Sequence, residues 1–333
     1  MNPFPFSEQV NELVFKKAEE KSKIRKEGNL IGFAFTLNAI IMLFTVSGVL
    51  GLLYPVGLGK IFYGVIKDAT LSNMVQIIVS FIAFTVPFWL LSRFFETPLN
   101  TLLPTKSNCS KKTMVVLGLI GLGVCGFSNI ATNLAGDIFE NFGFYYSSNN
   151  NEPNPTNFFG IALSVLATAV APALFEEFAL RGVVLSLLRK HGDNFAIIIS
   201  ALLFGLMHGN PPQIPFAFML GVYFAYVTIK TGNIWTAVVM HFLNNLFSVI
   251  YTYIVPTLTL EQQIVCSITY NGVLLLVGFI GLMWLKKTLS QLPCEEKADS
   301  VLSFKAKVAV ILTSPVMWAF YVLMGYKIYL IMK

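Results

Sequence analysis

Uncharged apolar runs of about 20 residues recur along this chain, and they restrict its fold more than any other feature, because a helix needs roughly that length to cross a bilayer. Such runs extend over Leu30–Tyr54, Leu71–Ser92, Thr113–Gly136, Pro153–Phe175, Gln262–Leu285 and Val308–Gly325. Shorter or histidine-containing segments are Asn194–Met207, Ile214–Ile229 and Asn233–Ile254. The sequence therefore predicts an all-α, polytopic transmembrane helical bundle of about nine segments, with eight segments or a re-entrant pair over 194–229 as alternatives.

The composition excludes an ordinary soluble domain. Hydrophobic residues make up 55% of the chain, charged residues only 12%, and the mean hydropathy is +0.69. Soluble globular domains carry about twice that fraction of charge. We therefore expect an integral, multi-pass membrane protein, most simply of the cell membrane.

The basic residues alternate between the two sides of the predicted bundle. When the predicted spans are placed in order, 19 of the 23 Lys and Arg fall on one side of the membrane. The exceptions are Lys60, Lys67, Lys327 and Lys333. Cytoplasmic loops carry such an excess of Lys and Arg. The pattern predicts a cytoplasmic N-terminus, and it explains the net charge of +6 without a nucleic-acid partner.

Four regions follow from these runs. Residues 1–29 form a polar, Lys-rich cytoplasmic segment, either an amphipathic interfacial helix or a solvated tail, and no cleavable signal peptide is visible in them. Residues 30–136 form N-terminal transmembrane helices, 153–254 the core that contains the polar motifs, and 262–333 C-terminal transmembrane helices. The four cysteines are too scattered to predict a disulfide framework or a metal knuckle.

The first motif places two acids and a base at the end of an apolar run. Glu177 and Arg181 are four residues apart, which is the spacing of an intrahelical ion pair, whereas Glu176 points about 100° away around the helix. Pro172, one turn earlier, removes a backbone hydrogen bond. A desolvated carboxylate can accept a proton, so Glu176 is a candidate base. The alternative is that the three charges mark the cytoplasmic end of a span.

The second motif joins Phe204 to His208 at the end of a short apolar helix. Gly-Asn-Pro-Pro follows and must break that helix. Broken backbone at membrane depth is tolerated where it is buried in protein or lines a cavity. His208 is therefore either a site residue at the tip of a hairpin or an ordinary polar residue at the membrane interface.

The third motif joins His241 to Asn245, one turn apart on a predicted span. An intramembrane histidine with an amide beside it can be a metal ligand, a proton relay or a pair of hydrogen-bond donors. Polar contacts between transmembrane helices are the alternative.

Together, Glu-Glu-x-x-x-Arg, Phe-x-x-x-His and His-x-x-x-Asn on successive membrane helices resemble the CAAX protease and bacteriocin-processing (CPBP, Abi) family of intramembrane metalloproteases, which includes type II CAAX prenyl endopeptidases. The resemblance covers about residues 153–254. It implies an intramembrane endopeptidase that hydrolyses a peptide bond of a membrane-associated, prenylated or precursor peptide.

The resemblance also implies a role for each motif residue. Glu176 would activate a water molecule and His208 would lie near that water. His241 and Asn245 would stabilise the oxyanion, with Glu177, Arg181 and Phe204 in support. The family is usually catalogued as metalloproteases, so Zn²⁺ held by Glu176, His208 and His241 is one expectation, and a metal-free mechanism is the other.

Two functions of other classes use the same residues. A transporter or channel needs buried Glu, His and Arg along an ion path, and an immunity scaffold would bind a peptide without cutting it. The ionisable residues cluster in one region, and all signature positions are filled, which favours the protease. The expected partners are a peptide or protein substrate and the lipid bilayer.

Overall fold

The chain is almost entirely helical in the computed structural model, which describes residues 5–53, 68–107, 109–144, 155–285 and 300–332. No β-strand element occurs in these ranges. The principal helices are α1 (Pro5–Leu53), α2 (Ala69–Phe94), α3 (Lys111–Asn141), α4 (Phe158–His191), α5 (Asp193–Met207), α6 (Gln213–Thr231), α7 (Ile234–Ile254), α8 (Leu260–Leu285), α9 (Phe304–Leu312) and α10 (Met317–Ile331).

Six of these helices, namely α2, α3, α4, α6, α7 and α8, are long and apolar enough to cross a membrane, and a seventh span results if α9 and α10 are counted as one. The short apolar α5 falls below that length. The predicted all-α polytopic bundle is thus confirmed for the described residues, whereas the total of nine segments stays a prediction.

The first predicted span is the second half of a much longer helix. α1 runs without a break from Pro5 to Leu53 across the expected boundary at residue 29, and Tyr54 lies outside the described residues. Side chains 10–19 of α1 are exposed, and burial begins near Ile24. α1 then packs against α2 and α10.

The last predicted span is bent. α9 and α10 meet at an angle of 69° around residues 313–316, where Pro315 cannot donate a helical hydrogen bond. The bend lets α10 pack on α1 while α9 contacts α5. It brings Lys327 of α10 to the tip of α5, as described below.

α4 extends far beyond Phe175, where the apolar run of the sequence ends. The helix continues to His191 and contains two π-helical stretches, Leu166–Val170 and Phe178–Val184. π-bulges often occur at functional sites because they reorient the side chains around them. The acidic pair therefore lies in the middle of a long helix, between two such stretches, rather than at its end.

α3 and α8 pack closely at one level and separate at another. A Cβ atom added to Gly123 would meet the Cα atom of Gly278 at 2.7 Å, so only glycine allows the two backbones this close. Beyond this contact, Asn129 of α3 donates a hydrogen bond of 3.2 Å from Nδ2 to Oδ1 of Asn271 of α8. The space between the two helices there is lined by amide side chains.

Candidate functional site

Arg181 is an almost fully buried charge, with 1% of its side chain exposed. Its Nη1 atom lies 3.0 Å from Oε1 of Glu177, which is fully buried, and its Nη2 atom donates to the carbonyl oxygen of Gly221 at 3.3 Å. Charges at membrane depth are costly unless they pair with one another. The predicted ion pair between Glu177 and Arg181 is therefore present, and each residue neutralises the buried charge of the other.

Phe204 of α5 covers the guanidinium group. The Cζ atom of Arg181 lies 4.4 Å from the centroid of the Phe204 ring and 5.4 Å from that of Phe224. The ring of Phe204 also meets His208 edge-to-face at 5.1 Å and His241 at 6.0 Å. One aromatic side chain thus contacts residues of all three motifs, and its supporting role stays a prediction.

His241 of α7 joins the same ion pair. Its Nδ1 atom lies 2.8 Å from Oε1 of Glu177, so the imidazole N–H donates to that carboxylate. In the neutral ring the other nitrogen, Nε2, then keeps its lone pair and faces Glu176, whose Oε2 atom is 4.0 Å away. Glu177 thereby fixes the orientation of the histidine towards the second acid.

Glu176 differs from its neighbour because it lines a cavity. The cavity has a volume of about 260 Å³ and is bounded by residues of α2, α4, α5, α6 and α7, including Glu176, His208, His241 and Asn245. The Glu176 side chain is 14% exposed, and its Oε2 atom has no hydrogen-bond partner in the described part of the chain. The four residues that the sequence proposes as catalytic therefore border one space; their catalytic roles remain predictions.

His208 is held from two sides at the end of α5. Its Nδ1 atom donates to the carbonyl oxygen of Phe204 at 2.7 Å, which leaves Nε2 as a hydrogen-bond acceptor in the neutral ring. Its own carbonyl oxygen accepts a hydrogen bond of 2.6 Å from Nζ of Lys327. Gly209 follows with a φ of +58°, and a Cβ there would collide with the Lys327 side chain.

Asn245 connects α7 to the first π-helical stretch of α4. Its Nδ2 atom donates to the carbonyl oxygen of Thr168 at 3.1 Å. Pro172 has no N–H with which to satisfy that carbonyl across one helical turn. An amide nitrogen carries two N–H groups, so Asn245 keeps one donor after this contact.

The three proposed zinc ligands do not form a ligand group as they stand. Among the described residues, no three His, Cys, Asp or Glu side chains are arranged so that they could hold a metal ion. His241 directs Nδ1 to Glu177 and His208 directs Nδ1 to the Phe204 carbonyl, which leaves Nε2 of each ring free, as in histidines that bind a metal. The donor types therefore suit zinc although their present arrangement does not form a ligand group. Zn²⁺ stays a prediction, and we derive no step through a metal.

Several neighbours of the site were missed by the sequence motifs. Gln76 and Gln213 line the cavity, and Asn244 lies beside Asn245 and donates from Nδ2 to its Oδ1 at 3.1 Å. Lys327 contacts the site from the last helix. Lys327 did carry a signal, because it is one of the four basic residues that break the charge alternation.

The fold and the cavity define a class of protein: a multi-pass membrane protein whose acidic and imidazole side chains face a common space inside the helical bundle. Residues 158–247 match the family model described as Type II CAAX prenyl endopeptidase Rce1-like. This confirms the family resemblance that the three motifs predict. The matched segment contains every motif residue of the site.

One relative supports the same assignment. The chain is 26% identical over 188 residues to YdiL of Bacillus subtilis (strain 168), which is named as an inferred membrane peptidase. The aligned part covers 56% of this chain and 75% of YdiL. No solved structure matches the chain. The two similarities indicate a protease of the membrane.

Proposed function

We propose that this protein is an intramembrane endopeptidase that hydrolyses its substrate with a water molecule activated by Glu176. The observation that supports this most is the asymmetry of the acidic pair. Glu177 is fully buried and its Oε1 atom pairs with Arg181 and His241, whereas the Glu176 side chain is 14% exposed and borders the cavity. A base must reach both the water and the substrate, and Glu176 meets that condition.

His208 is suited to orient the water. Its Nε2 atom is an acceptor, because Nδ1 is occupied by the Phe204 carbonyl. A water molecule that donates one hydrogen to Glu176 and the other to His208 would present its oxygen to a peptide carbonyl. Glu176 takes a proton as that oxygen bonds to the carbonyl carbon, and it returns the proton to the leaving nitrogen as the peptide bond breaks.

Asn245 and His241 are suited to stabilise the oxyanion of the tetrahedral intermediate. Asn245 retains one N–H after its bond to Thr168. His241 donates through Nε2 only when its ring is protonated, and the Glu177 carboxylate at 2.8 Å would then balance the ring's charge. A preorganised donor of this kind is typically worth about 3 kcal/mol of transition-state free energy.

The substrate class follows from the location of the site and from the family. The cavity lies among membrane helices, and the matched family model describes a prenyl endopeptidase. A membrane-associated peptide, either prenylated or the precursor of a secreted peptide, is therefore the substrate that we propose.

The proposal is tested with the detergent-purified protein and a panel of fluorogenic membrane-associated peptides, half of them prenylated. We expect cleavage by the parent protein and none by Glu176→Gln. Treatment with 1,10-phenanthroline should leave the rate unchanged if the metal-free mechanism holds. Inhibition by the chelator, reversed by Zn²⁺, would replace the metal-free mechanism with a zinc-dependent one, and equal cleavage by the Gln variant would overturn the assignment of the base.

A further inference from the structure

A second cavity adjoins the catalytic one. Its volume is about 320 Å³, and it lies between α3, α7, α8 and the start of α6. Both cavities are bordered by Gln213, Phe216, Asn244, Asn245 and Ser248. A ligand that fills the second cavity would therefore reach Asn245, which lies beside the reacting groups.

The lining of this second cavity is polar but uncharged. Its 13 residues include no Asp, Glu, Lys, Arg or His. Side-chain amides form the largest group: Asn129, Asn133, Gln213, Asn244, Asn245 and Asn271. We call these six residues the amide cluster. They come from four helices that are each long and apolar enough to span a membrane.

Contacts between helices account for only part of the amide cluster. Asn129 donates to Asn271, and Asn271 in turn donates to the carbonyl oxygen of Ser267 at 3.0 Å. A primary amide offers two donors and an acceptor with two lone pairs. Asn245 also donates to Thr168, Asn244 donates to Asn245, and Gln213 accepts from Asn210. Each of these bonds uses only part of the capacity of a side-chain amide, so donors and acceptors around the opening are left for a ligand.

An extended peptide segment matches this lining best. The peptide group has one N–H and one C=O, which a side-chain amide can satisfy together. A phosphate headgroup would find no cation in the second cavity, and a lipid chain would leave the remaining hydrogen-bonding capacity of the amides unsatisfied, which is costly at membrane depth. A charged peptide side chain would find no opposite charge there.

We propose that the amide cluster binds an uncharged segment of the peptide substrate in an extended conformation and feeds the adjacent peptide bond to Glu176. This inference rests on the proposed endopeptidase function and adds a substrate class to it. Phe216, Phe247, Tyr251 and Tyr270 also line the cavity and would pack against uncharged side chains of the segment. The site should exclude segments that carry Asp or Glu.

Binding can be measured separately from turnover in the Glu176→Gln background. The probes are fluorescent peptides of about ten residues built from Asn, Ser, Gln, Ala and Leu, with matched sets in which two positions are Asp or two are Lys. We expect the uncharged set to bind Glu176→Gln at least tenfold more tightly than the Asp set. Adding Asn271→Leu should weaken that binding about tenfold, the effect of one or two lost hydrogen bonds.

Asn73→Leu is the matched control. Asn73 also lies on a membrane helix and donates a hydrogen bond of 2.9 Å to Ser164, but it borders neither cavity. Asn133→Asp is the complementary variant, because Asn133 is exposed and its change leaves the packed core intact. It should shift the preference of the protein towards the Lys set.

The outcomes separate this inference from the proposed function. Cleavage by the parent protein without any dependence on Asn271 or Asn133 would overturn the amide-cluster site and leave the endopeptidase standing. Amide-dependent binding without any cleavage by the parent protein would overturn the endopeptidase and leave the amide-cluster site standing. Equal binding of the uncharged and Asp sets, or a loss of binding as large in Asn73→Leu as in Asn271→Leu, would also overturn the site.

Discussion

His241 and Glu177 are joined by a hydrogen bond of 2.8 Å between Nδ1 and Oε1, and the same carboxylate oxygen lies 3.0 Å from Nη1 of Arg181. Glu177 therefore links two helices: it neutralises the arginine of α4 and orients the histidine of α7. Glu176, the next residue along α4, is left to face the cavity. Glu176 and Glu177 are adjacent and chemically identical, but they have different surroundings and should therefore have different functions.

Exchanging each acid for its amide should separate these functions. We expect Glu176→Gln to abolish cleavage while the protein stays folded, because the base is lost but the shape is kept. Glu177→Gln should lower the free energy of unfolding by about 3–5 kcal/mol, because Arg181 then lacks its buried counter-charge. Peptide cleavage and thermal unfolding in detergent measure the two effects. A stable, inactive Glu177→Gln beside an active Glu176→Gln would show that the base is the other carboxylate.

Asn245 should act mainly in the transition state. We expect Asn245→Ala to reduce kcat roughly 10²- to 10³-fold with a smaller change in KM, as for the loss of one oxyanion donor. The same variant leaves the Thr168 carbonyl without its side-chain donor. Steady-state kinetics test the first effect and thermal unfolding the second. Asn73→Ala provides the comparison, and an equal fall in kcat there would remove the special role of Asn245.

Lys327 is expected to be a positioning residue. Its ammonium group donates to the His208 carbonyl at 2.6 Å, and hydrogen bonds of charged groups contribute about 1.5–3 kcal/mol. Lys327→Met should therefore reduce kcat by about one to two orders of magnitude. Lys327→Arg should restore much of this loss, whereas Lys305→Met, on the exposed face of α9, should change nothing. If Lys327→Met is less stable than the parent but has the same kcat, Lys327 contributes to packing and does not position His208.

Acid should destabilise the contact between α1 and the end of α4. Burial of Glu27 disfavours its charge, but hydrogen bonds from His191 at 2.6 Å and Lys190 at 2.8 Å outweigh this and lower the pKa of the carboxyl below 4.5. The stabilisation is therefore present above about pH 4.5 and is lost as the pH falls through the lowered pKa.

The matched pair for this pH dependence is Glu27→Gln and Glu19→Gln, the latter on the exposed part of α1. The free energy of unfolding of the parent should fall steeply below pH 4.5, and Glu27→Gln should flatten that dependence. Glu19→Gln should follow the parent. Parallel curves for all three proteins would contradict the role of Glu27.

Cysteine labelling can test the orientation of the protein in the membrane. The Lys and Arg asymmetry predicts that the connection between α7 and α8 is outside, on the same side as Asn150, which lies outside the described residues. A cysteine introduced at Thr259 into a cysteine-free chain should react with an impermeant maleimide in intact cells. One introduced at Lys106 should react only after permeabilisation, and the reverse result would invert the topology.

The sequence alone determined the local features of this protein. Apolar run lengths are set by bilayer thickness, so the helical bundle could be predicted. The i,i+4 spacing fixes which residues share a helix face, so the pair Glu177 and Arg181 and the separate orientation of Glu176 could also be predicted. The high cost of charge at membrane depth pointed to the same residues as the site.

Only the tertiary structure decided how the motifs meet. The hydrogen bond from His241 to Glu177, the approach of Lys327 to His208 and the amide cluster each join residues of different helices. The rotation and tilt of a helix depend on packing against its neighbours, and no short sequence pattern encodes them. The sequence shows that Pro315 interrupts a helix, but it shows neither the 69° angle between α9 and α10 nor the two π-helical stretches of α4.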